Sequence, residues 1–251
     1  MSMVSVAHTA WVARGRTTEW KYSVRVAVYP IAADGSPLGT VSTDYIKQLK
    51  VETFMPIADF MKREAAGFAL PLPTPIDMYL AHTVDTLPPS PPFGGSTLDV
   101  IVWSLKFRYW AWKVDNFKRQ KPDVRLFVLY HDPARNNRLP HSTGLQKGLI
   151  GIVNAYAQTQ YEGSNNVVIA HEMLHTLGAT DKYDLATTLP LFPAGYAEPQ
   201  LKPTHPQSKA EIMAGRIPVS ESQAEIPQGL AQCVVGTTTA REINWLKLAN
   251  P

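Results

Sequence analysis

The stretch Gly163-Ser-Asn-Asn-Val-Val-Ile-Ala-His-Glu-Met-Leu-His-Thr-Leu-Gly-Ala-Thr-Asp-Lys-Tyr-Asp184 decides how this chain is read. From Asn166 to Leu177 it predicts a helix. Val167, Val168, Ile169, Ala170, Leu174 and Leu177 make that helix apolar on nearly all sides, which implies burial. An asparagine in Gly163–Asn166 suits the N-cap, and Gly178 falls where the helix should stop, because glycine enters the left-handed turn freely. His171 and His175 stand four residues apart, so a helix places both imidazoles on one face, one turn apart, where both can bind one ion. Glu172 projects about 100 degrees round the helix from His171 and can reach a water beside the ion without binding the ion itself. Two histidines and a glutamate are costly to bury without partners, and a metal removes that cost. Zn2+ suits the set. It lowers the pKa of a water towards 7, and a nearby carboxylate can accept the proton during attack on a carbonyl.

Beyond Gly178 the chain can reverse and return Asp181 to the histidines as a third ligand, leaving a fourth position for water. Tyr183 and Asp184 read as residues that steady this loop. Upstream, Tyr22–Pro30 alternates Val24, Val26 and Val28 and predicts a strand, followed by a turn at Ala33–Ser36. Asp44–Glu64 predicts a helix that Pro56 kinks or splits, and Ile76–Val84 a shorter helix. Thr97–Phe117 predicts a long aromatic helix capped by Ser96 or Thr97, with Trp110 and Trp112 among its core residues. Asp123–Tyr130 and Gly148–Ala157 predict buried strands, and Thr238–Leu248 a last helix. Strand, helices, strands and a central motif helix together imply an α/β (α+β) fold with a mixed sheet. Residues 1–20 read as an extension or linker, and 21–251 as a single domain.

The whole chain agrees with one globular unit. It has 251 residues, 45% of them apolar and 18% charged, which excludes a disordered chain. A net charge of +3 with no basic, aromatic-interleaved stripe argues against nucleic acid. No apolar run reaches the roughly 18 residues a membrane helix needs. Met1–Arg14 lacks the basic start and clean apolar core of a signal peptide, so the chain reads as cytoplasmic unless another route exports it. Cys233 is the one cysteine, which excludes an internal disulfide and a cysteine-based zinc ribbon.

His171, Glu172, His175, Gly178 and Asp181 resemble the extended zinc motif of the metzincin peptidases, in the variant with aspartate as third ligand. Ile212-Met213-Ala214-Gly215 resembles the methionine turn of that clan, which implies that Met213 supports the site from below. The resemblance implies a zincin-like fold, a Zn2+ cofactor and a peptide or protein substrate. It leaves the third ligand open. A downstream glutamate serves in gluzincins, so Glu211 is the alternative to Asp181, with Glu221 behind both. Zincins bind extended peptides along an edge strand beside the motif helix, which points to Gly148–Ala157. An oxyanion needs a further donor, and His141, Tyr196 and Arg216 are candidates.

A narrower resemblance covers Leu139–Val153, Ala210–Pro218 and Ala240–Trp245. These segments are similar to metallopeptidase extensions at the C-terminus of VgrG proteins, the spike proteins of bacterial type VI secretion. That implies an effector toxin delivered into a rival cell, with a cognate immunity protein as partner. Two other functions are compatible with the motif: a zincin-fold binding module with little turnover, and a metal-dependent cell-wall amidase.

Overall fold

In the computed structural model, residues 17–34, 40–92, 94–115, 117 and 121–246 are described. The frame is a five-stranded mixed sheet. Its strands are β1 (Val24–Ala32), β2 (Ile76–Leu80), β3 (Val124–His131), β4 (Thr143–Leu145) and β5 (Ile150–Tyr156), in the order β2-β1-β3-β5-β4. The first three and β5 run parallel, and β4 runs antiparallel to β5 along one edge. Parallel strands covered on both faces must be apolar on both. In β1, Val24, Val26 and Val28 face one layer while Ala27, Tyr29 and Ile31 face the other.

The valine side is covered by α1 (Val41–Gln48), α2 (Met55–Gly67) and, after α3 (Thr97–Val114), by α4 (Glu162–Leu177). Ile57, Phe60, Met61, Ile169 and Met173 supply that packing, each fully buried. The opposite side is covered by α3, which lays Trp103, Phe107 and Ala111 over Phe127 and Tyr29. The C-terminal third is loop-rich. It holds the short pairs β6 (Ala210–Glu211) with β9 (Cys233–Val234) and β7 (Ile217–Pro218) with β8 (Ala224–Glu225), then α5 (Thr237–Glu242).

Several elements differ from the sequence reading. Ile76–Val84 is not a helix. Ile76–Leu80 is β2, paired in register with Val24–Val28. The prolines before it favour extended backbone, and the Pro75 carbonyl accepts the Val24 amide at 2.9 Å, so pairing begins at once. The helix expected over Asp44–Glu64 is broken at Leu49–Lys50, before Pro56. Pro56 lies in the first turn of α2, where its missing N–H leaves no helical bond unmade, so it starts a helix instead of kinking one. The motif helix begins at Glu162, four residues early, without a side-chain cap. Asn165 instead pairs with both backbone groups of Tyr156, and Asn166 donates to the Thr53 carbonyl at 2.8 Å. The last helix is only Thr237–Glu242, and residues 247–251 lie outside the described ones.

The expected domain boundary also moves. Trp20 is buried, packs edge-on against Trp245 and donates its indole N–H to the Ile243 carbonyl at 2.6 Å, so it belongs to the core. Of the expected extension, residues 1–16 lie outside the described ones, as do 35–36 of the expected turn. No helix among the described residues is long and apolar enough to cross a membrane.

Candidate metal centre

Three side chains converge at the C-terminal end of α4. The Nε2 atoms of His171 and His175 are 3.0 Å apart, and Oδ1 of Asp181 lies 3.1 Å from each. Metal–ligand bonds of about 2.0–2.1 Å in a tetrahedron place ligand atoms about 3.3 Å apart, so this triangle has the dimension of one face of such a site. Helix geometry supplies the two imidazoles. The aspartate arrives because Gly178 takes φ 111° and ends the helix, with its N–H and that of Ala179 returned to the last helical carbonyls.

Backbone contacts determine which nitrogen of each ring faces the triangle. Nδ1 of His171 donates to the Ile212 carbonyl at 3.0 Å, and Nδ1 of His175 donates to the Ala179 carbonyl at 2.8 Å. With each neutral ring's proton committed to Nδ1, both Nε2 atoms present lone pairs. In that form two nitrogen lone pairs and a carboxylate oxygen meet at one point, an arrangement relieved by a positive charge, whether a metal ion or a proton on Nε2. The electrostatics favour positive charge at this point. Burial opposes charging His171, but the Asp181 and Glu172 carboxylates and the Ile212 carbonyl raise its pKa to about 9. Burial likewise opposes ionisation of Asp181, yet the two imidazoles hold it well below the usual carboxylate range. Nitrogen and oxygen donors in this geometry fit zinc among the common biological cations.

Glu172 stands apart from the triangle. It is 5% exposed, and one carboxylate oxygen, Oε2, has no hydrogen-bond partner. A carboxylate oxygen and one nitrogen of each histidine lie within 4.8 Å of one another, a spacing that leaves room for a water between them. Burial raises the pKa of Glu172, the imidazoles lower it, and the Gly144 backbone supplies a hydrogen bond. That contact ties Glu172 to β4. A Cβ on Gly144 would lie 2.4 Å from the Glu172 carbonyl oxygen and 2.7 Å from Cβ of His175, so only glycine lets the edge strand pass this close to the helix.

The competing ligand Glu211 is committed elsewhere. It is completely buried, and its two oxygens accept from the Met213 and Ala214 amides, the Gly236 amide and the Thr239 hydroxyl. Four donors satisfy the carboxylate, which shapes the turn Glu211–Gly215 and does not approach the triangle. Met213 is buried in that turn. The turn's backbone grips the site from two sides: the Ile212 carbonyl holds the His171 ring, and the Met213 carbonyl accepts the Lys182 amide at 3.0 Å, beside Asp181. Glu221 is exposed.

A second clamp, not legible from spacing, holds the Asp181 loop. Glu242 of α5 accepts the amide and hydroxyl of Thr180 at 3.0 and 2.7 Å, and Nζ of buried Lys182 at 2.7 Å. Asp184 steadies the following turn, accepting the Ala186 and Thr187 amides and the Thr187 hydroxyl. Tyr183 does more than steady the loop. Its ring lies 6.4 Å from that of His171, and burial together with the Asp181 and Glu172 charges raises its pKa to about 12. The three oxyanion candidates have these partners and neighbours. Tyr196 hydrogen-bonds His205 at 3.0 Å, the His141 carbonyl accepts from Asn154, and Arg216 lines a cleft with Thr188, Val219 and Glu225. Ile150–Tyr156, the core of the expected edge strand, is interior; β4 is the edge.

No protein-family profile matches the chain, and no curated protein matches it significantly.

Proposed function

We propose that this protein is a zinc-dependent peptidase of zincin type, with His171, His175 and Asp181 as ligands and Glu172 as the general base. One observation carries the reading: three lone-pair donors meet at one point, and a buried carboxylate with an unpaired oxygen stands beside them. A structural zinc site has no use for that fourth group.

Bound zinc would acidify water and polarise the substrate carbonyl. Glu172, buried with one carboxylate oxygen unpaired, takes the proton of the attacking water and returns it to the departing amide nitrogen. The Ile212 and Ala179 carbonyls keep the rings in the binding tautomer, and Tyr183 orients Asp181. β4 supplies the substrate track. It pairs with β5 on one side only among the described strands and touches α4 through Gly144, so an extended peptide can add to its other edge beside Glu172. Main-chain pairing of this kind tolerates many substrate sequences. The proposal extends to an effector toxin of type VI secretion, with an immunity protein as partner, on the resemblance of Leu139–Val153, Ala210–Pro218 and Ala240–Trp245 to VgrG extensions.

The test compares wild type with Glu172→Ala by elemental analysis and by cleavage of a mixed peptide library. Expected are equal zinc contents and a loss of cleavage on the order of 10²–10⁴-fold. Equal cleavage by both proteins refutes the mechanism. One zinc in each without turnover in either refutes the enzyme and leaves a binding module.

A further inference from the structure

Helix α3 carries two apolar faces, and the sheet accounts for one. Trp103, Phe107 and Ala111 are buried against β1 and β3. On the other side Leu98, Val102, Leu105, Tyr109 and Trp112 are between 42% and 68% exposed, with Ile101 beside them. Their spacing is four, three, four, three. That is the alternation of a coiled-coil seam, in which Leu98, Leu105 and Trp112 take one core position and Val102 and Tyr109 the other. Scattered exposed apolar residues need no explanation, but a contiguous patch of several hundred Å2 marks an interaction surface.

We propose that α3 is a homodimer interface, in which the α3 helices of two copies pack antiparallel along this seam. A two-fold axis makes one patch its own complement. The flanking charges select the direction. Lys106 and Arg108 sit beside the seam in the middle of the helix, Asp99 near its start and Lys113 near its end. In a parallel pair, Arg108 would face Lys113 of the second copy, a like-charge contact. In the antiparallel pair that sets Val102 against Leu105, Asp99 faces Lys106 twice, and Leu98 meets Tyr109 at both ends. Six large side chains per copy approach the roughly 800 Å2 that each partner contributes to a stable interface. The helix that carries His171, Glu172 and His175 packs on the other side of the sheet, so the dimer does not depend on the proposed activity.

The test is sedimentation of the full chain with and without chelator. Wild type is expected to be a dimer at micromolar concentration in both conditions. Leu105→Glu is expected to raise the dissociation constant by ~100-fold or more without changing the melting temperature, because it places two charges in the seam. Should that variant not fold, Lys106→Asp sets two aspartates against each other and is expected to weaken the dimer by about tenfold. Direction is read by oxidative cross-linking. A mixture of Val102→Cys and Leu105→Cys proteins forms a disulfide between the two variants, while each alone forms little; the native Cys233 is buried. A monomeric wild type overturns the proposal, including the case in which another protein from the source cell occupies the face. So does a dimer insensitive to both substitutions. Cross-linking of each variant with itself overturns the antiparallel arrangement.

Discussion

Helices α3 and α4 lie on opposite faces of the same sheet, and each breaks the ordinary partition of residues in its own way. α4 is buried on almost every side yet carries two histidines and a glutamate into the interior. α3 is half solvated yet presents leucine, tyrosine and tryptophan outward. A buried polar group and an exposed apolar patch are the two informative departures, because each costs free energy that the fold alone does not recover. On the readings proposed above, a cation and a water would supply that compensation in α4, and another helix in α3.

That contrast implies that substitutions near α4 separate into those that lose the ion and those that lose the fold. The largest separation is expected at Asp181→Ala. It removes one of the three proposed ligands from a partly exposed loop, so zinc affinity measured by competition with a chelator should fall by ~10³-fold, about 4 kcal/mol, while the apo-protein loses less stability than Glu211→Ala does. Glu211→Ala should do the reverse. Four donors lose their acceptor in a fully buried place, which costs ~3 kcal/mol of stability or more in chemical denaturation. A larger affinity loss from Glu211→Ala than from Asp181→Ala would exchange their roles.

Gly144→Ala tests whether the edge strand belongs to the site. The added methyl meets a helix carbonyl and cannot be absorbed by side-chain rotation, so a loss of about 2 kcal/mol in stability is expected, with β4 displaced from Glu172. A melting temperature equal to wild type would separate β4 from the helix. The smallest effect is expected at Tyr183→Phe, which removes a hydroxyl under the influence of the Asp181 charge but no proposed ligand. Groups of this kind contribute ~10–100-fold to metal affinity or activity, and the lower end is expected because Asp181 is also held by its loop. A drop as large as that of Glu172→Ala would make Tyr183 a catalytic residue.

Legibility in the sequence followed the range of the interaction. The motif helix, its end at Gly178, the buried strands β1, β3 and β5, and the pairing of His171 with His175 all follow from contacts within a few residues. Ile76–Val84 reads as a helix because nine residues with scattered apolar positions suit a short helix as well as a strand, and only the register of Ile76–Leu80 with Val24–Val28 decides. The outward seam of α3 was hidden by its richness in aromatics. Periodicity finds apolar faces but does not say which one the sheet covers.

By itself the sequence determined that two imidazoles share a helix face with an acid a third of a turn away, because side-chain direction on a helix is a local property of the backbone. Only the tertiary structure brought Asp181 to the two histidines while committing Glu211 to backbone donors, put Gly144 against Glu172, and recruited the carbonyls of Ile212 and Ala179 to hold the rings. Those choices join residues up to 41 positions apart. They depend on how Glu211 and Glu242 fold the C-terminal loops back onto α4, and no residue spacing encodes that closure.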